Sequence, residues 1–471
     1  MLFSKIRENW ILLLVITAYI VGKILLSDIY LFWDNMAVLS KPALFLYENN
    51  FSSFSFPLGM TDDNIVTATI LAFLWKIFGC NMLVLNVFFG IVGVVLIFQI
   101  YQLCKFFIKD NKILPFVFLL VVSDTALVTQ ILTIQADPLI LLFGFMSVNF
   151  MFRKRLLPFS ISLFFLALMR ARGFDLCVGI GLAYFIIILK ENIWQKPFKN
   201  LFIALKPFIP AILGYACLYV IHSIIFGTWT VSRKDPSWEK ALELASFNRL
   251  LINVAVLGRW FLDYGRIFLY IAFAYIFFKF GYKKLFIEKV ANLWILFAAS
   301  FLLIAAITLP FCNTFGARYF IFQYIIIALI LGILLFDLLP QKTAKIISIC
   351  LILGLWSGHF WIHPETLSKS WDTTLAHIPY YELRKKMLNF LDENGIDYTK
   401  TTAFFPARAQ ARYIELNNDE REFLNPDLKT DYYILYSNID NWSTEDIKQV
   451  RTYPLIKEFK KGAVFIRLYK K

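Results

Sequence analysis

The stretch Asn64-Ile65-Val66-Thr67-Ala68-Thr69-Ile70-Leu71-Ala72-Phe73-Leu74-Trp75-Lys76-Ile77-Phe78-Gly79 decides the topology of the whole chain. It is apolar enough to pass for a membrane span. Yet it is short, carries Lys76 and stops at a glycine. A span needs about 20 apolar residues. A helix lying in the membrane interface suits this stretch better. If it crossed instead, every connecting loop after it would change sides.

Around it, the chain has 471 residues, of which 59% are hydrophobic and 50 are Phe. Mean hydropathy is +0.65. That is more apolar surface than a soluble core absorbs, so the class is a polytopic membrane protein. Apolar runs at 10–27, 82–103, 113–132, 137–152, 156–170, 174–189, 201–226, 263–280, 290–310, 317–338 and 345–361 predict about eleven helices of ~20 residues. The fold class expected is therefore all-α and membrane-embedded, with interfacial helices beside the spans. Residues 1–361 make the membrane domain, and residues 362–471 a separate small α/β domain. The first run is too long for a signal-peptide core and lacks a small-x-small cleavage site, so it is expected to stay as an anchor helix.

The formal charge of +14 raises nucleic acid as a partner. Its distribution argues against that. Residues 362–471 carry 17 Lys/Arg against 16 Asp/Glu, leaving an excess of 13 basic residues in the apolar part. That excess sits in short loops, which is how orientation in a membrane is encoded. The clusters are Lys5 and Arg7; Lys105, Lys109 and Lys112; Arg153, Lys154 and Arg155; Lys190, Lys196 and Lys199; Lys279, Lys283, Lys284 and Lys289; Lys342 and Lys345. With 64–79 not crossing, all fall on one face, the cytoplasmic one, together with the N-terminus. The segments 28–63, 132–137, 170–173, 227–262, 311–317 and 362–471 then face outward. The six cysteines lie in or beside apolar runs and show neither a disulfide framework nor zinc spacing.

Two aspartates stand out on that outer face. Asp34 follows the first run in Tyr30-Leu31-Phe32-Trp33-Asp34-Asn35, and Asp137 opens a run in Ile134-Gln135-Ala136-Asp137-Pro138. Carboxylates at membrane depth are costly and need a reason. Asp137 before a proline also suits a helix cap. Arginines are the other signal. Arg170 and Arg172 occupy a polar break, Leu168-Met169-Arg170-Ala171-Arg172-Gly173, and guanidinium matches phosphate oxygens bidentately. Arg318 in Gly316-Ala317-Arg318-Tyr319-Phe320 starts a helix, where a cation opposes the helix dipole and calls for a compensating anion. Lys41 is a weaker cation, as are Arg233, Lys234 and Arg259. Arg259 and Asp263 are spaced for a local i, i+4 pair. His359 and His363 share a helix face, but no glutamate follows His359 as a zinc hydrolase motif needs.

An acidic residue after the first span, an interfacial helix next and an Asp-Pro opening the fourth span resemble the glycosyltransferase C superfamily. Within it, the pattern is most similar to bacterial relatives of the protein O-mannosyltransferases and the lipid A aminoarabinose transferases, over roughly residues 1–340. Thr61-Asp62-Asp63-Asn64 through Phe78-Gly79 is similar to that family's segment of His-Pro-Pro-Leu, aromatic-rich helix and Phe-Gly, without the double proline. The resemblance implies an integral-membrane transferase of the bacterial inner membrane. Its partner would be a polyprenyl-phosphate sugar, used with inversion at the anomeric carbon. It would act on an acceptor protein, lipid or glycan in the cell envelope.

On that reading Asp34 is the general base for the acceptor hydroxyl. Asp137 orients the acceptor or helps bind a divalent metal, with Asp62 and Asp63 as further oxygen ligands. Arg170, Arg172, Arg318 and Lys41 receive the lipid phosphate. A transporter or flippase is the rival, and a polysaccharide polymerase or ligase using a lipid pyrophosphate is a third reading. In the tail, 377–394 predicts an amphipathic helix stopped by Gly395. Strands are expected at 401–405, 432–436, 456–460 and 464–469, and Ser443 caps a helix at 444–453.

Overall fold

The computed structural model describes residues 9–57, 60, 64–191, 202, 205–226, 243–312, 315–361, 363–365, 367, 370–425, 428, 432–440 and 442–471. Helices run from α1 (Trp10–Leu25) through α2 (Lys41–Glu48), α3 (Ile65–Phe78), α4 (Met82–Phe107), α5 (Leu114–Val122), α6 (Thr125–Leu132), α7 (Asp137–Phe152), α8 (Leu156–Leu168) and α9 (Ala171–Glu191). They continue with α10 (Ile209–Phe226), α11 (Phe247–Leu262), α12 (Ile267–Phe280), α13 (Glu288–Thr308), α14 (Ile321–Leu338) and α15 (Gln341–Ser357).

The deciding stretch forms α3. Its 14 residues reach about 21 Å at 1.5 Å per residue, short of a ~30 Å hydrocarbon core. α3 packs on α2, and Lys76 donates to Asn50 at 2.5 Å and stands 4.3 Å over the Tyr47 ring. Gly79, at φ +88°, ends it, and Asn81 caps α4 by accepting from the Val84 amide.

Six helical segments are long and apolar enough to cross a membrane, and two bent pairs bring the number to eight among the described residues. The expected eleven is not reached on length alone. α1, α7 and α8 fall on expected spans but have only 16, 16 and 13 residues. The bends are also departures from expectation. The run 113–132 breaks by 71° between α5 and α6, and α11 meets α12 at 83°. α11 itself lies inside what reads as an outer loop, and the following span starts at residue 267, not 263. Asp124 makes the first bend by capping α6, accepting from the Ala126 and Leu127 amides at 3.0 and 3.1 Å. Gly265 makes the second. Its φ is +82°, and a Cβ there would lie 2.0 Å from the Gly354 carbonyl oxygen.

The described basic loops share one end of the bundle. At one end Lys105 and Tyr101 donate to Asn9, Arg153 donates to Gln102, Lys289 pairs with Asp337 and Lys345 stands over Phe116. The described basic loops therefore gather with the start of α1. At the other end Lys23 donates to the carbonyls of Leu132 and Thr133, and Asn86 to that of Ser27. α14 is enclosed by its neighbours almost throughout, while the segment 206–224 is the least enclosed span.

Beyond α15 the chain forms α16 (Pro379–Glu393), α17 (Ala411–Glu415), α18 (Thr444–Val450) and a sheet of β1 (Thr401–Ala403), β2 (Tyr433–Ser437), β3 (Leu455–Lys461) and β4 (Val464–Lys470). Strand order is β1-β2-β4-β3, with β1 parallel to β2 and the other pairs antiparallel. The alternation of apolar residues placed all four strands to within about two residues. Gly395, at φ +62°, follows α16, and Ser443 and Asp446 form a capping box on α18. The tail is joined to the segment that follows α1. The Leu31 amide donates to the Ile414 carbonyl, Arg412 pairs with Glu48, and Phe32 stacks on His377 at 4.3 Å.

Candidate functional site

Asp34 reaches the site through a turn. Trp33 sits at φ +53°, a conformation rarely held by a bulky residue. Phe32 goes into the tail's apolar core on one side of it, and Asp34 faces Arg318 on the other. A π-helical turn, Met36–Ser40, follows at once. Asn35 fixes the register. Its Nδ2 donates to the Phe32 carbonyl and to Gln135, and its Oδ1 accepts from the Ala136 amide at 3.2 Å. Asn35 and Gln135 are 2% and 1% exposed, so this clasp is sealed between the segments that carry Asp34 and Asp137.

Asp137 does not cap its helix, as its place before Pro138 suggested. α7 begins with Ala136 at the N-cap and no side-chain cap. The carboxylate turns to arginines instead. Arg172 Nη1 donates to Oδ2 at 3.3 Å, Arg172 Nη2 lies 3.1 Å and Arg170 Nη1 3.8 Å from Oδ1, and Arg318 Nε lies 3.4 Å from Oδ2. The break between α8 and α9 carries Arg170, the first turn of α9 Arg172, and the Ala317–Phe320 turn Arg318. Tyr319 lies beneath, with the Arg172 guanidinium 4.0 Å from its ring centroid.

Arg318 is the centre. Nη2 meets Asp34, Nε faces Asp137, and Nη1 stands 2.6 Å from Asp372 Oδ2. The compensating anion expected at this helix start is thus supplied by three carboxylates of the chain itself. Asp372 was not among the expected residues. It lies in the tail, within Trp371–Thr373, and nothing in its local sequence says that it returns to the helices. Burial, with Asp34 and Asp137 adding to it, pushes the Asp372 carboxyl above its usual range against the pull of Arg318.

Asp34, Asp137 and Asp372 thus balance Arg170, Arg172 and Arg318, three charges against three. The cluster opens on one side: the Asp34 side chain is 33% exposed and Arg172 19%, while the others are nearly closed off. Within it, Arg318 Nε, Arg172 Nη2 and Asp137 Oδ1 are buried and meet no partner in hydrogen-bonding geometry. Donors held this way keep capacity for an anionic ligand.

Other expected residues lie elsewhere. The Lys41 ammonium stands 5.6 Å over the Tyr413 ring of the tail, and the described ion pairs of the cluster do not include it. Asp62, Asp63, Arg233 and Lys234 fall outside the described residues. Arg259 pairs with Asp263 at 3.1 Å as its spacing predicts, and His363 joins them at 3.5 Å. His359 accepts from the Leu375 amide instead, so the two histidines do not share a ligand. Among the described residues no group of three His, Cys, Asp or Glu is placed to hold a metal ion.

No protein-family model and no curated protein matches the sequence. Solved structures do match. ArnT, an aminoarabinose transferase from Cupriavidus metallidurans, is similar in its apo state with a TM-score of 0.53 and 10% identity, over 98% of each chain. The same protein bound to undecaprenyl phosphate gives a TM-score of 0.52 and 12% identity, over 82% of this chain and 73% of that one. The arabinofuranosyltransferase AftD from Mycobacteria superposes less well, with a TM-score of 0.45 and 12% identity, over 98% of this chain and 40% of that one. The likeness to ArnT is one of fold.

Proposed function

We propose that this chain, a multi-pass membrane protein with the glycosyltransferase C fold, moves a sugar from a polyprenyl-phosphate donor to an acceptor hydroxyl. The observation that carries the proposal is the half-open cluster of Asp34, Asp137 and Asp372 around Arg318, Arg170 and Arg172. ArnT with undecaprenyl phosphate bound supports a lipid-phosphate partner for this fold. The cluster lies at the end of the bundle opposite the basic loops. By the positive-inside rule that end faces outward, toward the periplasm of a bacterial inner membrane. The membrane domain is residues 1–361, with 362–471 as a domain over its outer face.

In the reaction, the acceptor oxygen attacks the anomeric carbon as its bond to the phosphate oxygen breaks. The electron pair of that bond leaves on the phosphate, and Asp34 takes the acceptor's proton. One carboxylate on the attack side suits a single inverting displacement. Arg318, Arg170 and Arg172 stabilise the charge that builds on the leaving phosphate. The bond between Asp34 and Arg318 gives this an order. A phosphate that binds Arg318 competes with the carboxylates already there, and Asp34 is the most exposed of them. Its displacement frees the base when the donor is in place.

The test is Asp34→Asn in full-length protein reconstituted with a polyprenyl-phosphate sugar. Sugar transfer is expected to fall by about 10²–10⁴-fold with unfolding temperature unchanged. Turnover like that of wild type removes Asp34 from the mechanism. The two bent helix pairs keep a flippase as a second reading, since broken helices are common in transporters. Liposomes that flip labelled lipid without forming glycoside would favour it.

A further inference from the structure

We infer that Asp372, carried by the tail, is a positioning residue that sets which edge of Arg318 is open to the lipid phosphate. The inference rests on the lipid-phosphate site proposed above and gives the tail a part in it.

Asp372 is 5% exposed and has no route of its own to a substrate. Its Oδ2 stands 2.6 Å from Arg318 Nη1, and its Oδ1 accepts from Ser370 Oγ at 3.0 Å. Ser370 Oγ also accepts from the Ala317 amide at 3.2 Å, one residue before Arg318. One hydroxyl therefore ties the carboxylate and the arginine's own backbone together. The carbonyl of Asp372 accepts from Gln130 of α6 at 2.8 Å. Trp371 Nε1 donates to the Asn438 carbonyl at 3.1 Å, next to β2 of the tail. Ser370 holds φ +45° and ψ +57°, left-handed for a residue with a Cβ, and Thr373 Oγ1 closes the turn on the Ser370 carbonyl at 2.6 Å. A strained tripeptide pinned to α6, to the Arg318 turn and to the tail is a rigid mount.

The consequence is directional. Nη1 of Arg318 is taken by a buried, fixed carboxylate, whereas Nη2 faces Asp34, which is 33% exposed. A phosphate reaches Arg318 by replacing Asp34. Without Asp372, the guanidinium has one fewer fixed partner and follows Asp34 outward.

The experiment measures undecaprenyl phosphate binding to the full-length protein in nanodiscs, for wild type, Asp372→Asn, Arg318→Gln and the double variant, with the unfolding temperature of each. Each single change is expected to weaken binding about tenfold, and the double variant to bind no worse than Arg318→Gln alone. A merely structural Asp372 would give losses that multiply, to about a hundredfold. Multiplying losses, or an Asp372→Asn protein that binds as well as wild type or better, overturn the inference. Should Asp372→Asn fail to fold, Ser370→Ala takes its place. About threefold weaker binding in the wild-type background, and none lost in the Arg318→Gln background, is then expected, and an equal loss in both overturns the inference. A wild-type protein that binds no undecaprenyl phosphate removes the proposed function itself, which keeps the two failures distinct.

Discussion

Two groups of buried charge can be compared in this protein, and they are built differently. Asp124 and Arg266 form a sealed pair. Both side chains are 1% exposed, and Nε and Nη2 of the arginine meet Oδ2 and Oδ1 at 2.7 and 3.1 Å. Arg266 Nη1 donates to the Trp260 carbonyl at 3.2 Å, and Tyr324 lies 3.6 Å from the guanidinium carbon. The hydrogen-bonding demand of the pair is met from within. The Arg318 cluster has as many cations as anions, but its contacts to Asp137 stretch to 3.1–3.8 Å, and it has unmatched donors and an exposed edge. Charge inside an apolar bundle costs free energy in either form. The satisfied pair returns structure, since it joins the bend between α5 and α6 to the bend between α11 and α12. The unsatisfied cluster keeps capacity for something that arrives.

The largest effect is expected at Asp124. Asp124→Ala strands a buried guanidinium and uncaps α6, and is expected to cost about 3–5 kcal/mol, which thermal unfolding in detergent reads directly. Stability unchanged from wild type would mean that the pair is not what holds the two bends. Replacing each arginine by lysine comes next. Arg266→Lys is expected to lower the unfolding temperature and leave undecaprenyl phosphate affinity unaltered. Arg318→Lys should do the reverse, weakening binding by about tenfold as the planar fork is lost. Equal effects of the two changes on stability would mean that the two charge groups do not differ in role.

Asp440 in the tail is a third kind of buried charge, a carboxyl whose named neighbours are not cations. Burial pushes it up to about 8. Its folded-state value lies above its unfolded one, so its contribution to stability is full below the unfolded value of about 4 and is lost as pH rises toward 8. Between pH 5 and 8 the wild type is expected to lose about 3–4 kcal/mol that Asp440→Asn retains. Unfolding followed by tryptophan fluorescence at both values checks it, and identical slopes would assign the carboxyl no such shift.

Parts of the site were open to inspection in the chain and parts were not. Asp34, Asp137, Arg170, Arg172 and Arg318 stood out because charge beside an apolar run is unusual over any short window. Lys41 stood out for the same reason and sits over Tyr413, because a lone cation at an interface has many uses. Asp372 gave no such signal. It belongs to a polar stretch where acids are common, and its importance comes from a partner 54 positions earlier. Gln135 and Asn35 were equally silent, being ordinary amides until they meet across 100 residues. The bend at Asp124 hid inside an apolar run. A count of hydropathy registers one aspartate there as a small interruption, while the backbone uses it as a cap.

Composition and periodicity set the membrane class, the helical runs, the gathering of basic loops on one face, and the strands of the tail. Each rests on local periodicity or composition, which a chain carries wherever it is placed. Which arginine faces which aspartate, where two spans bend, and that the tail contributes a carboxylate to the helices came from the folded chain alone. Those depend on contacts between residues tens to hundreds of positions apart, and pairing at that range is set by packing of the whole chain.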